Sequence, residues 1–198
     1  MILQIAKIRK LYYQDGLSAS EIAKDSGVSV WQVIKFMKKN DLPRRLSHES
    51  NSLRFERQKP SFKLKRTLTL KEEKLTIAAS MLYWAEGVKS GNGNVVDFPN
   101  SDTKMILIFL KFLRKVCGVD EKKLRILLYC YANQSSENLI NYWSKVTKIS
   151  RKQFQKPYVR KDYKSNGRKM IYGLVHIRYN DKKLFRQINE WIDFYRDL

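Results

Sequence analysis

The sequence predicts an α+β protein in which a small helical unit precedes a larger unit of helices packed on an antiparallel sheet. Residues 1–42 show only the three-to-four-residue hydrophobic spacing of amphipathic helices. Residues 69–198 alternate between that spacing and the two-residue spacing of strands. A polar, basic stretch over residues 43–68 separates the two regions, and we expect it to be a linker.

Three helices are predicted in the first region. The first carries apolar residues at helical spacing and ends at Gly16. Ser18 stands three residues before Glu21, the spacing of a capping box, so a second helix begins there and ends at Gly27. Ser29 is the expected N-cap of a third helix over residues 30–39.

The second region begins with a helix and continues as helices and strands. Thr69 and Glu72 have the capping-box spacing, and the helix that they open is expected to end at Gly87. The later segments follow from hydrophobic spacing: helices over residues 103–117, 137–146 and 182–195, and strands near residues 95–98 and 124–131.

Net charge is the strongest signal in the composition. Forty Lys and Arg residues against nineteen Asp and Glu residues give a formal charge of +21, and the pI is near 10.0. A compact fold with this surplus repels itself, so a polyanion, and nucleic acid in particular, is the expected partner. An anionic membrane surface, or charge that serves only solubility, is the alternative.

Other features of the composition argue against several classes of protein. The longest apolar run, residues 105–110, is far below the roughly 18 residues of a membrane span, and the charged N-terminus does not resemble a signal peptide, so we expect a cytoplasmic, nucleoid-associated protein. Cys117 and Cys130 are expected to be buried thiols, with a disulfide as the alternative. Because His48 and His176 are the only histidines, no Cys/His zinc site is expected.

Residues 17–29, LSASEIAKDSGVS, resemble a helix-turn-helix of the resolvase and homeodomain-like kind. Ala23 is small where two helices would cross, and Gly27 would supply the positive φ of the turn. The resemblance implies that the following helix lies in the major groove of double-stranded DNA. The DNA-binding residues would then be Ser29, Val30, Trp31, Gln32, Lys35, Lys38 and Lys39. A module that contacts only protein is the alternative.

The stretch after the third predicted helix is basic. Residues 42–68 hold eight basic residues, beginning with Arg44 and Arg45, against two acidic ones, a net charge of +6. Such a segment would follow a phosphate backbone without reading base sequence. A solvated linker with no ligand is the alternative.

Residues 79–87, ASMLYWAEG, resemble the LAGLIDADG motif of homing endonucleases. The match lies at Leu82 and at the closing Ala85, Glu86 and Gly87, and the order of elements over residues 75–198 is also similar. The resemblance implies helices packed behind a β-saddle that holds duplex DNA. The chain departs from the family at Met81, where a small residue is usual, and at Trp84, where an aspartate is usual.

The resemblance also implies a catalytic arrangement. Two motif helices pack across a two-fold axis in this family, and the acid at each C-terminal end holds a divalent metal beside the scissile phosphate. Glu86 would therefore be both catalytic residue and Mg²⁺ ligand in a homodimer. The family's basic residue near the last helix would fall on Lys182 or Lys183. A DNA-binding transcription regulator without cleavage activity is the main alternative, and a recombinase or transposase fragment is a third.

Strand parity predicts a DNA-contacting face. Residues 156–160 and 170–179 are expected to pair as a hairpin through a polar turn at residues 165–167, with Ile171, Val175 and Ile177 in the core. The opposite face would carry basic and aromatic residues from three strands, which suits a duplex. These residues are Arg125, Tyr129, Tyr131, Lys156, Tyr158, Arg160, Tyr172, His176 and Arg178. Aromatic packing at the rim is the alternative.

Overall fold

The computed structural model describes residues 3–89, 95–161 and 170–197, and these contain eight α-helices and four strands. The fold is α+β, as the hydrophobic spacing predicts. The chain divides into two compact units, Met1–Lys59 and Pro60–Leu198.

The N-terminal unit is entirely helical. Its helices are α1 (Ile5–Arg9), which continues as a π-helical turn (Lys10–Gln14), α2 (Ala19–Ser26), α3 (Val30–Lys39) and α4 (Ser47–Arg57). The predicted capping box of Ser18 and Glu21 is confirmed, and Ser29 forms a second one with Gln32. Gly27 has φ +66°, as predicted for the turn before α3. The core of this unit is Ile8, Tyr12, Ile22, Ala23, Val33, Met37 and Leu42.

Residues 43–59 contain a helix that the linker prediction lacks. One end of this segment is held by Arg45, whose Nη2 donates to the Leu17 carbonyl and whose guanidinium lies 4.1 Å from the ring centroid of Tyr12. The other end is held by Arg57, whose Nη2 lies 2.8 Å from Oε1 of Glu21. Arg57 therefore attaches α4 to α2, and Arg45 attaches the segment before α4 to Tyr12 and Leu17.

Residues 60–68 also differ from the expected linker, because they pack on the second unit. Phe62, Leu64 and Leu68 lie against its hydrophobic core. The backbone amides of Lys63 and Lys65 donate to the carbonyls of Gly118 and Val116, respectively. Three apolar residues spaced two and four apart were too few to indicate this packing from sequence.

The second unit combines four helices with a four-stranded sheet. The helices are α5 (Leu70–Glu86), α6 (Thr103–Lys115), α7 (Ser136–Thr147) and α8 (Lys182–Arg196). The strands are β1 (Val96–Asn100), β2 (Arg125–Tyr131), β3 (Tyr158–Arg160) and β4 (Leu174–Tyr179). The predicted capping box of Thr69 and Glu72 at the start of α5 is confirmed.

The strand order is β1-β4-β2-β3, which corrects the predicted hairpin. β4 lies antiparallel between β1 and β2, whereas β3 pairs parallel with β2. The sheet is therefore mixed and not purely antiparallel. Alternating hydrophobicity indicates which face a strand presents, but it does not identify the neighbouring strand. The predicted turn at residues 165–167 lies outside the described residues.

One face of the sheet forms the core with the four helices. Its inward residues alternate with outward ones along β2 and β4, as predicted, and include Ile126, Leu128, Cys130, Val175 and Ile177. Cys117 and Cys130 are buried and free, and burial raises the pKa of both thiols. In the described part of the chain, no helix is long and apolar enough to cross a membrane.

The prediction for Ile171 is wrong, because its side chain is 71% exposed. β4 begins only at Leu174, after Gly173 with φ +67°. A left-handed residue interrupts the extended backbone, so the strand alternation does not reach back to Ile171. A Cβ on Gly173 would also come within 2.6 Å of the Tyr129 carbonyl oxygen.

Candidate nucleic-acid interface

All seven residues predicted to contact DNA from α3 and its N-cap are exposed, and five of them take no part in the cap. Val33 and Met37 face the core, which turns Val30, Trp31 and Lys35 outward together with Lys38 and Lys39 near the C-terminus. Trp31 is 65% exposed, and Nζ of Lys35 lies 4.7 Å from its ring centroid. A large aromatic group and several cations thus share one side of α3.

The other two predicted residues of α3 serve its N-terminal cap. Oγ of Ser29 accepts from the amide of Gln32, and Oε1 of Gln32 accepts from the amide of Ser29 at 2.8 Å. The carboxamide of Gln32 is therefore turned back toward the helix start. Of the two predicted arginines that follow, Arg44 is exposed, whereas Nε and Nη1 of Arg45 are buried.

The outward side chains of the sheet form a surface that we call the open face. Sheet register places Asp97, Arg178 and Arg125 in one row and Pro99, His176 and Leu127 in the next. A third row holds Leu174, Tyr129 and Tyr158, and a fourth holds Tyr131 and Arg160. The structure therefore brings together seven of the nine strand residues predicted to contact DNA.

An aromatic run crosses the open face from β4 to β3. The ring of Tyr129 lies between those of His176, at 4.8 Å between centroids, and Tyr158, at 5.0 Å. Tyr158 is 55% exposed. We call the row of Asp97, Arg178 and Arg125 the arginine row. The aromatic run offers apolar surface between this row and Arg160.

Two predicted residues lie elsewhere. Tyr172 precedes β4 and stacks on Tyr142 of α7, with ring centroids 3.9 Å apart and an interplanar angle of 6°. Its carbonyl accepts a hydrogen bond from Nε1 of Trp143. Lys156 is exposed but lies before β3, which begins at Tyr158. The alternation that placed both on a strand face extends over fewer residues than predicted.

Asp97 is a member of the open face that the sequence interpretation missed. Its Oδ1 lies 2.7 Å from Nδ1 of His176, and its Oδ2 lies 3.0 Å from Nε of Arg178. Only 13% of the Asp97 side chain is exposed. The position between the core residues Val96 and Phe98 was the available signal, because alternation turns the intervening residue outward.

The C-terminal end of α5 is tied to β1 beside Asp97. The amide of Val88 donates to the Asp97 carbonyl at 2.9 Å, and the Tyr83 hydroxyl donates to the Val88 carbonyl. Gly87 is required here, since a Cβ would lie 2.5 Å from the Tyr83 carbonyl oxygen and 2.7 Å from its ring. Glu86, the predicted catalytic residue, is exposed at this helix end.

The described residues of one chain do not make up a metal site by themselves. Among the described residues, no group of three or more His, Cys, Asp and Glu side chains could hold an ion. Glu86 offers one carboxylate, and its oxygens are of the kind that Mg²⁺ prefers. The residues fit Mg²⁺ only if further oxygen ligands come from a second chain and from the substrate.

An apolar stripe on α5 leads to Glu86. Ile77 and Trp84 are each 42% exposed, Ala78 and Ala85 are exposed, and Met81 is half-buried. Each of the other four residues lies three or four positions from Met81, so the five occupy one side of the helix. Small residues at two of the positions would let another helix approach closely.

Lys182 and Lys183, the predicted basic helpers, begin α8 and are half-buried. Oδ1 of Asp181 caps this helix by accepting from the amide of Lys183.

Comparisons of the chain with protein-family models, curated proteins and solved structures found no match.

Proposed function

We propose that the protein binds double-stranded DNA through the open face of its sheet and through the exposed side of α3. The observation that carries the proposal is the composition of the open face. Arginines at both ends flank a continuous aromatic run, in a chain of net charge +21. Arginines suit phosphate oxygens, and aromatic rings suit sugars and base edges. A nucleoid-associated location would follow.

The N-terminal unit supports a helix-turn-helix in this proposal. Helices α2 and α3 are joined through Gly27 in a left-handed conformation, and Ser29 caps α3. In the major groove, Val30 and Trp31 would supply apolar contacts to thymine methyl groups, while Lys35, Lys38 and Lys39 would reach phosphates. Gln32 would contact a base only after the hydrogen bond between its side chain and the amide of Ser29 is broken.

We further infer that a homodimer cleaves DNA with the help of a divalent metal. The supporting observation is the apolar, partly small stripe of α5, which ends in the exposed Glu86. Packing two such stripes together would bring two carboxylates to one end of the helix pair. Bound Mg²⁺ would neutralise charge on the phosphate and activate water. Glu86 would serve as one oxygen ligand from each chain.

Cleavage is tested on a duplex selected from random sequence for tight binding. We expect the unmodified protein to cleave this duplex with Mg²⁺, and Glu86→Gln to bind it at least as tightly without cleaving it. Glu73→Gln, which removes another exposed carboxylate of α5, is the matched control and should cleave normally. If the unmodified protein binds tightly and leaves the DNA intact, the regulator interpretation is correct. Equal cleavage by Glu86→Gln would remove Glu86 from the reaction.

A further inference from the structure

A cleft of about 430 Å³ opens beside the arginine row of the open face. Its volume falls within the range of about 300–1,000 Å³ that is typical of ligand pockets. The residues that line it come from just before β1, from the start of β2 and the segment before it, from the segment before β3, and from the end of β4 and the residue after it. They are Val95, Lys123, Arg125, Gln155, Arg178 and Asn180.

The polar lining of the cleft consists mainly of hydrogen-bond donors. Nη1 of Arg178 donates to Oε1 of Gln155 at 3.2 Å, which leaves the amide nitrogen of Gln155 as its donor. Lys123 and the two arginines can only donate. None of the described lining residues is acidic. A ligand that complements this lining must be an anion with several acceptor oxygens.

The charges in the arginine row also favour an anionic ligand. Arg125 and Arg178 are direct partners in the register of β2 and β4. Like charges at such positions repel each other. Asp97 offsets part of the charge on the Arg178 side, but its carboxylate is shared with His176. Nη1 of Arg125 donates to the carbonyls of Lys122 and Leu124, which orient the guanidinium without neutralising it.

We propose that this cleft binds a phosphate group and that, in the complex with DNA, it holds one backbone phosphodiester. The second half of the proposal rests on the proposed DNA-binding function, whereas the first half stands on the cleft alone. Arg125 and Lys123 are the principal ligands. Arg178 is held against Asp97 and Gln155 as a preorganised donor.

The first experiment measures duplex affinity over a range of salt concentrations. We expect Arg125→Gln to weaken binding about tenfold, as loss of a hydrogen bond to a charged group does. It should also reduce the slope of log K against log salt by about 0.9, the value for one phosphate contact. Lys123→Gln should act in the same direction. Lys111→Gln, on the exposed side of α6, removes the same charge and should leave the slope unchanged.

The second experiment titrates inorganic phosphate into the full-length protein and follows the arginine Nε–Hε signals by NMR, with chloride to match ionic strength. A saturable shift at Arg125 and Arg178 that Lys123→Gln weakens would support the phosphate site. If duplex binding is normal but Arg125→Gln and Lys123→Gln both resemble Lys111→Gln, the backbone contact is overturned. If phosphate saturates the signals but the protein binds no duplex, the DNA-binding function fails while the cleft remains a phosphate site. No saturable shift overturns the site itself.

Discussion

The exposed side of α3 and the open face of the sheet both present aromatic and basic side chains, but these are held differently. On α3, Trp31 and Lys35 contact each other one helical turn apart and otherwise extend outward. On the open face, Arg178 contacts Asp97 and Gln155, and the ring of Tyr129 lies against those of His176 and Tyr158. If both surfaces bind DNA as proposed, the side chains of α3 could adjust to different bases, whereas those of the sheet would be preorganised for the backbone. The difference suggests sequence recognition by α3 and strand positioning by the sheet.

The largest effect should come from removing α3 altogether. We expect deletion of residues 1–59 to lower affinity for a selected site by at least about a thousandfold, to the level of non-specific binding, because base contacts are lost. Strong salt dependence should remain, since the arginines of the sheet are retained. The deletion ends at Lys59 because residues 60–68 pack on the second core. Gel-shift titrations on selected and scrambled duplexes measure both quantities. Equal affinity of the deleted and full-length proteins for the selected duplex would assign α3 to another partner.

Two exposed tryptophans allow a matched test within the full-length chain. We expect Trp31→Ala to weaken binding to the selected site about tenfold, the size of a lost base contact, without altering self-association. Trp84→Ala removes the same side chain from the stripe on α5 and should weaken dimerisation, as measured by sedimentation. If both substitutions change only DNA affinity, α5 is not a dimer interface. If both substitutions change only self-association, α3 does not read the DNA sequence through Trp31.

Some features of the fold and of the candidate site could be predicted from the sequence, and others could not. Caps and helix ends depend on residues three or four apart, so Ser18, Gly27 and Thr69 were identifiable by inspection. Strand order depends on contacts between distant segments, which explains the error over β3 and β4. Asp97 escaped notice because an acidic residue conflicts with a DNA-binding face until its contacts with His176 and Arg178 are known.

Substitution of Asp97 should have a smaller effect on DNA affinity. The sign of that effect tests whether Asp97 holds His176 and Arg178 in place for binding. Removal of a carboxylate from a DNA-binding face ordinarily strengthens binding, since repulsion of phosphate is lost. We expect Asp97→Asn instead to weaken binding roughly fivefold, because His176 loses a charged hydrogen-bonding partner and Arg178 loses its ion pair. Asp193→Asn on α8, where the side chain is 61% exposed, is the control for charge alone. Tighter binding by Asp97→Asn in competition assays would show that Asp97 only repels DNA.

The smallest effect concerns the stability of the helical unit in acid. Hydrogen bonds with the backbone and side chain of Ser18, and then with Arg57, lower the pKa of Glu21 to about 2. A carboxylate whose pKa is lowered on folding stabilises the folded state above its unfolded pKa, near 4.5, and loses that contribution as the pH falls toward 2. Because the side chain is 47% exposed, we expect Glu21→Gln to cost only about 1 kcal/mol at pH 7.

Denaturant unfolding of the helical unit, followed by far-UV circular dichroism, measures this cost at pH 7 and again near pH 2.5. The difference between Glu21→Gln and the unmodified protein should shrink at the lower pH, where Glu21 is increasingly protonated. In Ser18→Ala the main cap is already absent, so adding Glu21→Gln should cost less than it does alone. A cost that is the same at both pH values would mean that the Glu21 charge does not hold α4 and the start of α2 together.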